Sequence, residues 1–198
     1  MSKGEGTRER ILDRALRLAS RDGLGGLSIG VLATDLGLSK SGLFAHFGSK
    51  EDLQLAVLEV AATRFTETVM RPAFRAPRGE PRIRRLFENW MAWIGDPATP
   101  GGCVFLAAAT ELDDQEGRPR DFLVGSQRQL VGSLAKAARL AVEEGHFAAR
   151  LDAEQFAFEL YSLLLGCSHW KRLLRDPRAE VRARTAFERL VATARIAS

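Results

Sequence analysis

The 198-residue chain carries two cysteines and three histidines, the residues from which metal or nucleophilic chemistry would be built. Only Cys167 and His169 lie close together. Two positions apart on a helix, they point roughly 200° from one another and do not converge on one ion as an i, i+4 pair would. Cys103 and Cys167 sit in apolar stretches suited to a small buried thiol, and two cysteines are too few for a disulfide framework. No serine or cysteine occupies a nucleophile elbow or an activating context. His146 falls just past an expected helix end and is assigned no role. No catalytic residue, metal or cofactor is therefore expected, and the chain does not read as an enzyme. The chemistry on offer is recognition. Ser39 to Lys50 contains no acidic side chain, and residues 1–50 hold eight Lys/Arg against five Asp/Glu, whereas residues 51–198 hold 21 against 20. A positive excess confined to the first quarter points to a local anionic partner.

The elements that must position these residues are helical throughout, because apolar residues recur at helical spacing and no stretch alternates with period two. The chain reads as all-α with about nine helices. Thr7 is a candidate N-cap for a helix burying Ile11, Ala15 and Leu18, which Asp22-Gly23 ends. Ser28 caps a short helix whose Ile29, Leu32, Ala33 and Leu36 share one face, and Gly37 ends it. A third helix spans Ser39 to about Phe47. Ser49 and Asp52 form a capping-box pattern opening a long helix from Lys50 to about Met70, broken by Pro72. Further helices are expected around Ile83 to Ile94, at Val104 to Leu112, from Asp121 to Glu144, from Asp152 to Arg175, and from Arg178 to Ala197. The chain divides into an amino-terminal domain, 1–49, and a carboxy-terminal helical domain, 50–198.

The second and third helices meet at a turn built on Gly37, with Ala33 four residues earlier and Leu43 six residues later. Steeply crossing helices need a small residue at the contact and a residue tolerant of positive φ between them, which is the helix-turn-helix arrangement. Leu32, Leu36, Leu38, Leu43 and Phe47 form a small core against the first helix. Ser39, Lys40, Ser41, Gly42, Phe44 and His46 then face outward on a helix free to enter a major groove.

Leu38 to Phe47, LSKSGLFAHF, followed by GSKEDL, resembles the recognition-helix signature of the tetracycline-repressor family. The resemblance covers residues 7–60 and beyond them is one of architecture. It implies that Ser28, Lys40, Phe44, His46 and Lys50 touch DNA phosphates, and that Ser39, Lys40, Ser41 and Gly42 approach base edges, with Lys40 suited to a guanine. The family usually has Tyr where this chain has Phe44, so a hydroxyl-to-phosphate bond is missing. Gly42 costs about 1 kcal/mol of helix propensity relative to Ala.

The resemblance also implies an effector pocket beside the fourth helix. Helical facing suggests Phe74, Phe87, Trp90, Trp93, Phe105, Phe122, Gln127 and Tyr161 as its lining. The last two helices read as a dimer interface, an isologous four-helix bundle using Leu160, Leu164, Cys167, Phe187, Leu190, Val191 and Ala194. The expected protein is thus a cytoplasmic, ligand-responsive repressor that binds a palindromic double-stranded DNA operator as a homodimer and is released by a small, largely apolar effector. No membrane span is expected. An activator of the same family remains open, as do an all-α enzyme using the carboxy-terminal cavity and an architectural helical protein.

Overall fold

The computed structural model describes residues 3–97, 99 and 101–196, and among these the chain is entirely helical, with no strand. Nine helices are present among the described residues. They are α1 (Lys3–Asp22), α2 (Ile29–Leu36), α3 (Lys40–His46), α4 (Lys50–Phe65), α5 (Glu80–Ile94), α6 (Val104–Leu112), α7 (Arg118–Glu143), α8 (Ala153–Arg172) and α9 (Ala179–Ile196). After Phe65, α4 continues through a π-helical turn, Thr66–Met70, into a last turn, Arg71–Phe74.

Pro72 does not break this helix as expected. The wide π-turn immediately before it, closed by the Arg71 N–H on the Thr66 carbonyl, makes room for the ring where an N–H is missing. Thr7 is not a cap either, because α1 begins before it and places it inside the helix. Helix α7 starts three residues before Asp121, at Arg118, and α8 stops at Arg172, short of Arg175. Ala197, the expected end of α9, lies outside the described residues.

The described residues form two compact units: those within Met1–Arg64 and Asp96–Ser126, and those within Phe65–Gly95 and Gln127–Ser198. In the first, α1 packs on α2 and on α6, and α2 packs on α3. Ile11, Ala15, Ala19, Leu24, Leu32, Leu43 and Leu53 are fully buried, so the predicted stripe of α1 is the core face. Leu36 and Leu38 are only half-buried. A bidentate ion pair from Arg14 to Asp35, at 2.5 and 2.6 Å, links α1 to the end of α2.

The second unit is dominated by α8 against α9, with α5 packed on α8 and, through Phe87 and Phe187, whose rings stack at 4.0 Å, on α9. Such parallel apolar rings bury large area on both elements at once. The start of α5 is organised by Gly79 and Glu80. Gly79 has φ 85°, and a Cβ there would fall 2.1 Å from His146 Nδ1, so the backbone must be bare as well as left-handed. His146 uses the approach, its Nδ1 accepting the Glu80 N–H at 3.3 Å. The imidazole thus satisfies a first-turn donor that Gly79 has no side chain to reach. Glu80 is buried and accepts from Arg195 at 2.5 and 2.8 Å and from Arg84 at 2.7 Å, while Arg84 also clasps Glu188 at 2.6 and 2.9 Å. The Arg195 guanidinium foremost, opposed by desolvation and assisted by Arg84, holds the Glu80 carboxyl below the usual carboxylate range.

Because that carboxyl ionises more readily folded than unfolded, its stabilisation is present above the unfolded value near pH 4 and is lost as pH falls through the folded value. Glu80→Gln should therefore cost about 2 kcal/mol at neutral pH, less than a fully buried pair because its Arg partners are partly exposed. Denaturant titrations of both proteins should show that difference shrinking as the medium is acidified.

Candidate nucleic-acid interface

The helix-turn-helix is assembled by three local devices. Ser28, extended at φ −124°, accepts the Val31 N–H on its hydroxyl at 3.0 Å and starts α2. At the other end Gly37 adopts φ 64°, ψ 30°, its N–H turned back on the Thr34 carbonyl at 3.2 Å, and the Leu38 N–H reaches the Ala33 carbonyl at 2.9 Å. This is a left-handed helix stop, and it closes the orphan carbonyls of α2 while reversing the chain. Ser39 then caps α3 by accepting the Gly42 N–H at 3.0 Å. A Cβ on Gly42 would stand only 3.0 Å from that Ser39 oxygen, so the glycine that weakens helix propensity also leaves the cap uncrowded. The opening of α4 is held likewise, with Ser49 Oγ accepting the Asp52 N–H at 3.0 Å and donating to its carboxylate at 2.7 Å. That hydroxyl, and then Arg118 at 2.7 Å, hold the Asp52 carboxyl below its ordinary range.

Of the eight residues expected at the interface, Ser28, Ser39, Lys40, Ser41, Gly42, Phe44 and Lys50 are exposed and His46 is half-buried. Phe44 is 48% exposed, a large apolar ring presented to solvent. Ser39 and Ser41 share a hydroxyl–hydroxyl bond at 3.2 Å. Lys40 runs along the first turn of α2: a Cβ built on Gly30 would lie 3.3 Å from Lys40 Cε, 3.7 Å from its Nζ and 4.0 Å from Ser28 Oγ. Lys40 and Ser28 therefore flank the same helix start, where backbone donors and the helix dipole favour an anion. Lys50 is already engaged, its Nζ donating to the Gly25 carbonyl at 2.7 Å. The Gly25 N–H in turn goes to Glu111 of α6 at 2.5 Å, so the backbone of this glycine is gripped from both sides.

Three neighbours escape a reading of the sequence. Arg8 stacks its guanidinium over Phe47, 5.2 Å from the ring centroid, and Val31 is exposed on α2. Val31 could have been found because it lies off the Ile29–Leu32–Ala33–Leu36 stripe. Arg8 and Glu111 carry no such signal, since their partners are remote in sequence.

The expected pocket residues are divided between the two compact units. Phe105 and Phe122 belong to the first compact unit and the other six to the second. Within the second, Phe87 is occupied by its stack on Phe187, and Phe74 is exposed under Arg82. What remains is a nest in which Phe65 meets Trp90 and Trp93 edge-on at 4.9 and 5.4 Å. Trp90 faces Tyr161 at 6.0 Å, and Tyr161 donates to Gln127. Trp93 is buried and its Nε1 has no hydrogen-bond partner among the described residues.

The residues expected at the dimer interface lie on the inner faces of α8 and α9. Leu160, Leu164, Cys167, Phe187, Val191 and Ala194 are buried within this one chain, and only Leu190 retains partial exposure. The α8–α9 packing takes that face, and its burial pushes the Cys167 thiol up. Phe158 and Trp170 on α8 and Val181 on α9 are exposed, Phe158 by 63%, as are Leu173 and Leu174 in the turn after α8. A groove of about 650 Å³ runs between the outer faces of α8 and α9, lined by Leu163, Val181, Ala186 and Leu190 among others.

Residues 11–57 match the family of bacterial regulatory proteins, tetR family, and residues 79–187, more than half the chain, match the tetracyclin repressor-like C-terminal domain. The chain belongs to the tetR family. The HTH-type transcriptional regulator AcrR of Shigella flexneri is 33% identical over 75 residues, 38% of this chain. That match spans about a third of the relative, 34% of its length. A TetR transcriptional regulator from Chloroflexus aurantiacus J-10-FL superimposes with a TM-score of 0.82 at 24% identity, covering 98% of this chain and 96% of that one. A TetR-family regulator from Cytophaga hutchinsonii gives 0.85 at 18% identity, covering 99% and 98%. At these identities the likeness is one of fold, the tetR architecture of an amino-terminal helix-turn-helix followed by a helical domain.

The space around Gly37 is empty, with nothing within 4 Å of where a Cβ would stand. Gly37→Ala therefore isolates backbone strain from steric clash and should cost about 1–2 kcal/mol. Thermal unfolding should show the loss, and a Tm unchanged from the parent protein would overturn the assignment.

Proposed function

We propose that the protein is a transcriptional regulator, a repressor, that binds a palindromic operator as a homodimer and lets go when a small, largely apolar molecule occupies its carboxy-terminal domain. The observation that carries the first half is the exposed, acid-free face of α3, with Lys40 and Ser28 at the start of α2. Two such heads would enter successive major grooves about 34 Å apart. Ser28, Lys50 and His46 would engage phosphates, and Phe44 would pack on the sugar–phosphate surface. Ser39, Ser41 and Gly42 would lie against base edges. Lys40 would serve either a phosphate beside α2 or, swung outward, a guanine.

The aromatic nest supports the effector half of the reading. Trp93 Nε1 is a buried donor with nothing among the described residues to accept it, an arrangement that costs free energy until an acceptor arrives. A neutral apolar molecule bearing a carbonyl or ether oxygen fits both the aromatic walls and that donor. Phe65 of α4 is part of the nest, so an occupant displaces the helix whose first turn follows the reading head. A preference of several kcal/mol for the displaced state is enough to empty the operator.

The dimer is proposed through the outward faces of α8 and α9, whose exposed Phe158 and Val181 and the groove beside them need a partner. Phe158→Glu combined with Val181→Glu should give a folded monomer by light scattering; a dimer that persists at micromolar concentration would place the interface elsewhere. Footprinting on DNA flanking the protein's own gene should reveal a two-fold protected site whose affinity falls steeply with salt. Lys40→Ala should weaken it and reduce the log–log salt slope by about one if Lys40 meets a phosphate. Unchanged affinity and sequence preference would remove Lys40 from the interface.

A further inference from the structure

Within the second compact unit, a half-open cleft of about 330 Å³ is lined by Phe74, Arg82, Ser133, Lys136, Ala137 and Leu140. Its floor comes from one face of α7, because Ser133, Lys136, Ala137 and Leu140 stand at i, i+3, i+4 and i+7. Ala137 is buried, and Phe74 lies exposed in the last turn leading from α4. Apolar surface is therefore presented to solvent beside two cations.

Several cations nearby are already committed to carboxylates. Arg71 pairs with Glu67, Arg84 with Glu80 and Glu188, and Arg139 with Glu154. Neither Arg82 nor Lys136 takes part in an ion pair among the described residues. Arg82 is nevertheless held in place. Its Nε and Nη2 donate to the Ala76 carbonyl at 3.3 and 3.0 Å, and its guanidinium lies 5.7 Å from the centroid of Phe74. This leaves Nη1 as a positioned donor whose orientation is already fixed, so an incoming anion orders less side chain on binding. Lys136 adds a second, flexible ammonium to the lining.

We infer that this cleft is a binding site for a small carboxylate carrying a short hydrocarbon or aryl group. The carboxylate would bridge Arg82 and Lys136, and the apolar part would cover Phe74, Ala137 and Leu140. A neutral molecule would leave both cations uncompensated in the cleft, and a bare anion would leave the apolar floor wet. The site is separate from the aromatic nest and does not depend on the effector reading.

The test is calorimetric titration of the full chain with octanoate, 1-octanol and inorganic phosphate. Octanoate should bind saturably, with octanol and phosphate at least about tenfold weaker, the factor expected from losing one charge-assisted contact. Lys136→Glu and Arg82→Gln, each checked for folding by circular dichroism, should weaken octanoate about tenfold or more. Trp93→Phe should leave it unchanged. Absence of octanoate binding at millimolar concentration, octanol or phosphate binding as tightly, equal affinity in the folded Lys136→Glu protein, or loss of binding in Trp93→Phe would each overturn the inference.

Discussion

At Gly37 the backbone passes through the left-handed region, and two successive N–H groups turn back onto the last carbonyls of α2. Everything about the reading head follows from that reversal. It sets the direction in which α3 departs, and Ser39 follows two residues later as an N-cap, so α3 starts without slack. Leu43 and Phe47 can then be buried while Ser39, Lys40 and Ser41 stay in water. A seven-residue helix has little stability of its own. Its outward face is presented to a partner because a turn and a cap hold it at one end and two buried side chains hold it along its inner face.

The second unit solves a different problem. Helices α8 and α9 have more apolar surface than one contact can cover, and the Phe87–Phe187 stack with α5 decides which faces are used internally. Glu80, shared between Arg84 of its own helix and Arg195 of α9, fixes the register of α5 against the end of α9. With those faces committed, the remaining apolar residues are left outside, so the exposed apolar surface of α8 and α9 is a consequence of packing within the chain.

Local devices are legible in the sequence because their parts are adjacent. Ser28 and Ser49 cap the helices that their spacing predicts, and Asp152, where α8 is expected to start, caps it by accepting the Gln155 N–H at 2.9 Å. Gly37 has the positive φ that the turn requires. Reading by neighbour spacing fails where a third element decides. The sequence of α8 carries apolar residues on more than one face, Phe156, Leu160 and Leu164 on one and Phe158 and Trp170 off it, and which face turns inward depends on α5, remote in sequence. Pro72 is tolerated by a π-turn that no residue type announces, and the aromatic residues of the expected pocket divide between two compact units despite similar helical facing. His146 looks idle in the sequence because its partner, the Glu80 N–H, lies 66 residues upstream.

That last contact links two positions in inheritance. Any side chain at 79 would collide with the imidazole at 146, while a smaller residue at 146 would open the space and abandon the first turn of α5. Neither site can drift alone without loss, so substitutions there should be tolerated chiefly as pairs. A library randomised at both positions would contain functional combinations that stepwise single changes could not reach.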